Sequence, residues 1–148
     1  MLVKVQMKPV STILRRLGVQ PDGDVQKQTT RVISNRMTKY MPCRSGALAT
    51  KLKIIANPTE IHVLGPYAKY QYYGVVMVDP KTGAAGFLTE EGWRSRRDVP
   101  KVVTSRSLNY DKTKNPQAGP FWERRMMAAE GEQIAREIQA YVNRRGSR

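Results

Sequence analysis

DVQKQTTRVISNRMTKYMP (Asp24–Pro42) and, after a nine-residue turn and restart, LKIIANPTEIHVLG (Leu52–Gly65) decide the fold. In the first stretch Val25, Val32, Ile33, Met37 and Tyr40 fall on one helical face, with Lys27, Arg31 and Lys39 largely outside it. Asp24 offers an N-cap, and Pro42 ends the helix at about Tyr40. The second stretch has a different rhythm. Leu52–Ala56 and Glu60–Gly65 are two short strand candidates, and Asn57-Pro58 between them reads as a hairpin turn. A long amphipathic helix followed by a hairpin points to segregated helices and strands. The fold class expected is α+β, a small antiparallel β-sheet packed by two longer α-helices.

Reading outward supports the same class. Leu2–Lys8 puts Val3, Val5 and Met7 on one face and Lys4, Gln6 and Lys8 on the other, the period of a half-buried strand, and Pro9 stops it. Ser11–Leu17 is a short helix candidate with Ser11 as cap and Gly18 at its C-terminus. Pro21-Asp22-Gly23 is a turn. Beyond Gly65 come the tyrosine-rich Tyr67–Tyr73, a glycine at 74, and a strand at Val75–Val78. Residues 79–100 are irregular and are expected to form a long projecting loop or hairpin, an arm. Val102–Tyr110 alternates again and supplies the return strand. A last helix is expected from Pro120 to about Val142, with Met127, Gly131, Ile134, Ile138 and Tyr141 on one face. A flexible basic tail, residues 143–148, follows. The whole, residues 1–148, reads as a single domain.

Composition narrows the chemistry. With 26 Lys+Arg against 12 Asp+Glu the formal charge is +14, which predicts an acidic partner: nucleic acid, an anionic surface or an acidic protein face. One cysteine excludes an internal disulfide, and one histidine with it cannot build a four-ligand Cys/His zinc site. The N-terminal alternation lacks the apolar centre of a signal peptide, so the expectation is a soluble protein made in a reducing cytosol.

No catalytic constellation emerges. Cys43 sits beside Arg44, which favours a thiolate, but no protease-like signature surrounds it. His62 alternates with Ile61 and Val63 and reads as a surface or partly packed strand residue. Glu90-Glu91 would need partner carboxylates to do acid–base or metal work. Neither GxxxxGK[ST] nor GxGxxG occurs, and no cofactor is expected. The basic residues say more. Arg94, Arg96 and Arg97 follow Trp93 in the irregular segment, and Arg124-Arg125 stand near the start of the last helix. These five are the candidate contacts to DNA or to an acidic partner. Tyr67, Tyr70, Tyr72 and Tyr73, with Phe87, Leu88 and Trp93 of the arm, are the candidate subunit-interface residues, because aromatic side chains bury large area while keeping a polar tip.

Three short elements then carry a resemblance. Pro42-Cys43-Arg44-Ser45-Gly46-Ala47-Leu48 resembles the P-x-x-(S/T)-G-x-L element after the first long helix in the tail-completion, or neck, proteins of long-tailed bacteriophages, often called minor capsid proteins. Pro66-Tyr67-Ala68-Lys69-Tyr70-Gln71-Tyr72-Tyr73-Gly74 is similar to that family's PYAxYxEYG segment, with Tyr72 where the family often has Glu. Ala118-Gly119-Pro120-Phe121-Trp122 resembles its AxPF lead-in to the C-terminal helix, without the proline that relatives often carry shortly after. The motif positions are Pro42, Ser45, Gly46, Leu48, Tyr67, Ala68, Gly74, Pro120 and Phe121, and the resemblance covers roughly residues 24 to 142. It implies a structural virion protein without enzymatic activity. Copies would form a ring, commonly of six subunits, between the head connector and the tail, surrounding the packaged double-stranded DNA. A small basic nucleic-acid-binding protein is the alternative reading.

Overall fold

Helix α2 (Asp24–Met37) is the frame of the computed structural model, which describes residues 10–65 and 67–147. A 3-10 turn, Thr38–Tyr40, continues it, and Met41 turns extended ahead of Pro42. Asp24 is the first helical residue and Gly23 takes the cap position, so the expected Asp24 cap is displaced by one residue. The Asp24 carboxylate instead meets the Arg145 guanidinium at 2.9 Å, where a negative charge also suits the helix N-terminus. Helix α1 (Val10–Leu17) begins one residue before the expected Ser11 cap and stops at Gly18, whose φ of +72° is the left-handed conformation a C-terminal glycine supplies. The strand expected at Leu2–Lys8 lies outside the described residues.

Helix α3 (Ala47–Thr50) is one turn long and leads into the expected hairpin. Strands β1 (Lys53–Asn57) and β2 (Glu60–Val63) pair antiparallel, with Ile54 opposite His62 and Ile55 opposite Ile61. Asn57 Oδ1 closes the turn by accepting from the Thr59 N–H at 2.9 Å. Helix α4 (Ala68–Tyr73) follows, then β3 (Val75–Val78), which pairs antiparallel with β6 (Val102–Ser107). Strand β6 stops short of the expected Tyr110, because the Leu108 N–H turns to the Gly74 carbonyl at 2.8 Å and the Tyr110 hydroxyl donates to the Gln71 carbonyl.

The class is α+β, as expected. The strands form three separate two-stranded antiparallel ladders rather than one sheet. The third ladder lies inside residues 79–100, where β4 (Phe87–Thr89) pairs with β5 (Gly92–Arg94). The arm is therefore a hairpin on an anchored base. Asp79, almost buried, accepts from the Lys81 N–H at 2.8 Å, and the Gly83 N–H donates to the Asp79 carbonyl at 2.8 Å. The Lys81 N–H and the Thr82 N–H, the latter at 3.3 Å, hold the Asp79 carboxyl below its ordinary value.

Helix α5 (Trp122–Gly146) packs along α2 and starts two residues after Pro120. The core between them holds Val32, Met37, Tyr40, Met41, Ala49, Trp122, Met126 and Ile134. This corrects the expected face of α5. Its inner line runs through Trp122, Met126, Glu130, Ile134 and Ile138, whereas Met127 is 49% exposed. A carboxylate sits on this line because α2 supplies its partners. Glu130 accepts from Arg36 at 2.5 Å, from the Tyr40 hydroxyl at 2.9 Å and from Lys39 at 3.2 Å. The far end of α5 is also held. Arg16 donates to the Gly146 carbonyl at 3.4 Å, and Arg145 reaches Asp24. Residues 143–146 are thus helical rather than the expected flexible tail.

Polar pins fasten the first ladder to α2. Lys53 Nζ donates to the Ser34 carbonyl and to Thr38 Oγ1, and Thr30 Oγ1 donates to the Pro58 carbonyl. Burial lowers the pKa of Lys53 from its ordinary value, but its ammonium satisfies a carbonyl near the C-terminus of α2, where a cation is favoured.

Candidate functional site

The tyrosine segment and the lead-in to α5 meet in one joint. Gly74 ends α4 with φ +71°, and a Cβ placed there would lie 3.0 Å from Pro120 and 3.1 Å from the Tyr110 hydroxyl. Phe121 holds a left-handed φ of 50°, and its N–H donates to the Tyr72 carbonyl at 2.8 Å. The Tyr72 ring then meets Phe121 and Trp122 edge-on, at 5.2 and 5.0 Å between centroids. Its hydroxyl donates to Glu123 at 2.5 Å, and that bond, with burial, raises the Tyr72 pKa. Gly74→Ala should cost about 1–3 kcal/mol in chemical denaturation, since it combines a left-handed backbone with crowding against Pro120. A cost below half that range would mean that Pro120 moves aside freely.

An apolar groove of about 540 Å³ opens beside the joint, within the size range of ligand clefts. Helix α2 contributes Ile33 and Met37, β2 contributes Ile61 and Val63, α4 contributes Tyr72 and Tyr73, and α5 contributes Trp122. Two charges stand in it. Lys69 makes no ion pair among the described residues, and Glu123 Oε2 is buried without a hydrogen-bond partner. No residue of the arm lines this groove. The arm's base contacts Tyr67 instead, whose hydroxyl lies 3.3 Å from Ser95 Oγ and whose ring carries Lys101 Nζ at 5.7 Å. At the arm's tip Leu88 is 76% exposed and Phe87 is also exposed.

The expected interface residues therefore divide. Tyr67, Tyr73, Phe87 and Leu88 are exposed. Tyr72 is half-buried and serves the joint of its own chain, and Tyr70 lines a smaller cavity with Val75, Met77 and Leu108. Trp93 contributes its backbone to β5 opposite Leu88. Pro66 lies outside the described residues. The arginines divide as well. Arg94 pairs with Glu91 at 2.8 Å, Arg96 approaches Asp79 at 3.6 Å, and Arg124 pairs with Glu123 at 3.5 Å while covering the Phe121 ring. Arg125 reaches the Gln117 carbonyl at 3.4 Å. Arg97 is exposed and has no ion pair among the described residues.

Other polar residues give no reactive set. His62 Nε2 meets Glu60 at 3.0 Å on the hairpin, while Cys43 lines a different cavity with Arg44, Gln71, Tyr110 and Asp111. Burial raises the Tyr110 pKa to about 12, which keeps its hydroxyl a donor to Gln71. No group of three or more His, Cys, Asp or Glu that could hold a metal ion occurs among the described residues. No described helix is long and apolar enough to cross a membrane.

Of the family-motif positions, Gly46 carries φ +82° before α3, Ala68 is buried and Leu48 packs on the core. Sequence reasoning missed Lys69 and Glu123 as groove residues. Lys69 stands beside a buried alanine at the start of α4, but that helix, six residues long, is too short for a periodicity to reveal it. The fold and groove define a small basic α+β protein with an aromatic joint, an open apolar groove and a hairpin arm. The chain matches no protein-family model, no curated protein and no solved structure.

Proposed function

We propose that this protein is a structural component of the virion neck in a long-tailed phage, forming a ring that joins the head connector to the tail around the DNA channel. The observation that carries the reading is the convergence of two elements of the resemblance. Gly74 and Pro120-Phe121, 46 residues apart from first to second, abut in one joint, where Gly74 takes the left-handed backbone a glycine favours and the Phe121 N–H donates to the Tyr72 carbonyl. The residues just before the Pro42–Leu48 element meet the same lead-in: the Gly119 N–H donates to the Tyr40 carbonyl at 3.3 Å, and Asn115 donates to the Thr38 and Met41 carbonyls, both at 2.9 Å.

On this reading the work is assembly by shape and charge rather than chemistry. Exposed Tyr67, Tyr73, Phe87 and Leu88 serve contacts between subunits and with the adjoining rings. The excess of 26 cationic over 12 anionic side chains suits a channel that carries DNA. Contacts to phosphate there are independent of base sequence. The charges act together only once the ring has formed, so the free monomer should bind DNA weakly.

The test is electron microscopy of virions carrying a label on this protein's C-terminus, beside particles made without the protein. Label at the head–tail junction, and separate heads and tails in its absence, is the expected result. Whole particles without label would sink the reading. Tight DNA binding by the free protein, with a steep salt slope, would then favour the nucleic-acid-binding alternative.

A further inference from the structure

We infer that the apolar groove receives the arm hairpin of a second copy of this chain, Leu88 foremost. The inference rests on the ring reading above and names the contact that would build the ring. Knob and hole are both present and do not meet within one chain. The groove is lined by Ile33, Met37, Ile61, Val63, Tyr72 and Trp122, with no arm residue among them. Among the described residues Leu88 is the most exposed of the large apolar side chains, at 76%. It alternates with Phe87 along β4, and only Phe87 lines the cavities at the arm's own base. An apolar side chain held out on a hairpin, beside an open apolar groove of about 540 Å³, gains by burial in that groove.

Charge selects a second copy over a generic apolar partner. Copies of a chain at +14 repel unless acid meets base at the contact. The turn of the arm hairpin carries Glu90 and Glu91, and the groove carries Lys69 without an ion pair among the described residues. Lys69 of the groove and Glu90 of the hairpin turn make no ion pair among the described residues and are complementary in sign, whereas Glu91 and Arg94 already pair with each other at 2.8 Å. Arm and groove are different surfaces. A contact that is not returned is heterologous and, repeated from copy to copy, closes a ring or extends a filament, whereas a reciprocal exchange of arms gives a symmetric pair.

The test uses the full chain carrying Cys43→Ser. Leu88→Cys is made on one preparation and Thr59→Cys, at the groove lip, on another with a different tag. The two are mixed and treated with a short bis-maleimide. The expected product joins one chain of each kind, with peptides containing residues 88 and 59 linked. Lys69→Glu should lower its yield at least about fivefold, and adding Glu90→Lys with Glu91→Lys should restore it. Leu88→Asp, a surface change that leaves the core untouched, should abolish self-association in analytical ultracentrifugation. Rings that form without the 88–59 link, or that survive Leu88→Asp, overturn the inference and assign the groove to another neck component, while leaving the neck reading standing. The link found in a protein that virions lack would overturn the neck reading and leave the docking standing. A chain that stays monomeric at millimolar concentration overturns the docking.

Discussion

Trp122→Ala is expected to lower the free energy of unfolding by about 3–5 kcal/mol, the range for emptying a buried aromatic site. Trp122 is 4% exposed and occupies three structural roles at once. It is the first residue of α5, it contributes to the core with Met126 and Tyr40, and its ring forms an edge of the aromatic cluster around Tyr72. It also lines the groove, so the substitution enlarges an opening that already reaches solvent. Water can then enter the space the indole leaves, but the ring contact of Trp122 with Tyr72 is gone. A small domain has roughly 5–15 kcal/mol of stability in all, so the variant should unfold at markedly lower denaturant with little change in the slope of its transition. Trp122→Phe keeps an aromatic ring at the site and should retain most of the stability. A Trp122→Ala loss below about 1 kcal/mol would mean that the groove collapses around the vacancy, a plasticity that rigid docking of an arm would not tolerate.

What could be read from the chain follows from where its signals are local. Helix α2, the Asn57 hairpin and the β3–β6 pair are each set by a period or a turn within a few residues, and all appear close to their expected places. Gly18 and Gly74 end helices because a left-handed backbone at those points suits a residue without Cβ. The inner face of α5 was not local. Met127, Gly131 and Ile134 make an apolar series as regular as Trp122, Met126 and Ile134, and the second series contains a glutamate. Only the partners of Glu130, which lie about ninety residues earlier on α2, make the second series the buried one. Residues 79–100 are legible as a loop or hairpin opened by an Asp-Pro-Lys-Thr-Gly turn, but their paired strands are not, because strands of three residues hold too little alternation to register. The tyrosine cluster announced an aromatic surface without dividing it. Tyr72 turns inward because Glu123 accepts from its hydroxyl, and that acceptor lies 51 positions away.

Glu130→Gln should lower stability at neutral pH by about 2 kcal/mol and, more tellingly, flatten the acid limb of the stability profile. The magnitude is that of hydrogen bonds to a charged group, about 1.5–3 kcal/mol. Glu130 is 11% exposed in its side chain and gathers Arg36 from the end of α2 and Lys39 and Tyr40 from the 3-10 turn that continues it. The bond from Arg36 is the largest influence holding its carboxyl below the ordinary value of 4.5, with the Tyr40 hydroxyl next, and both outweigh the opposing effect of burial. The sign follows from that direction. Folded Glu130 binds its proton less readily than unfolded Glu130, so its contribution is complete above pH 4.5 and is lost as the pH falls through the lower folded value. Glutamine removes the titration. It keeps an oxygen to accept from Tyr40, and Arg36 retains Glu137 at 2.8 Å, so the variant still folds. Denaturant titrations of both proteins at a series of pH values from 7 to 2.5 should therefore give two curves separated near neutrality that converge below pH 4.5. Parallel curves would show that the carboxylate does not join α2 to α5. The union of the two helices would then rest on the apolar contacts of Val32, Met37, Met126 and Ile134 and on the Arg36–Glu137 and Asp24–Arg145 pairs.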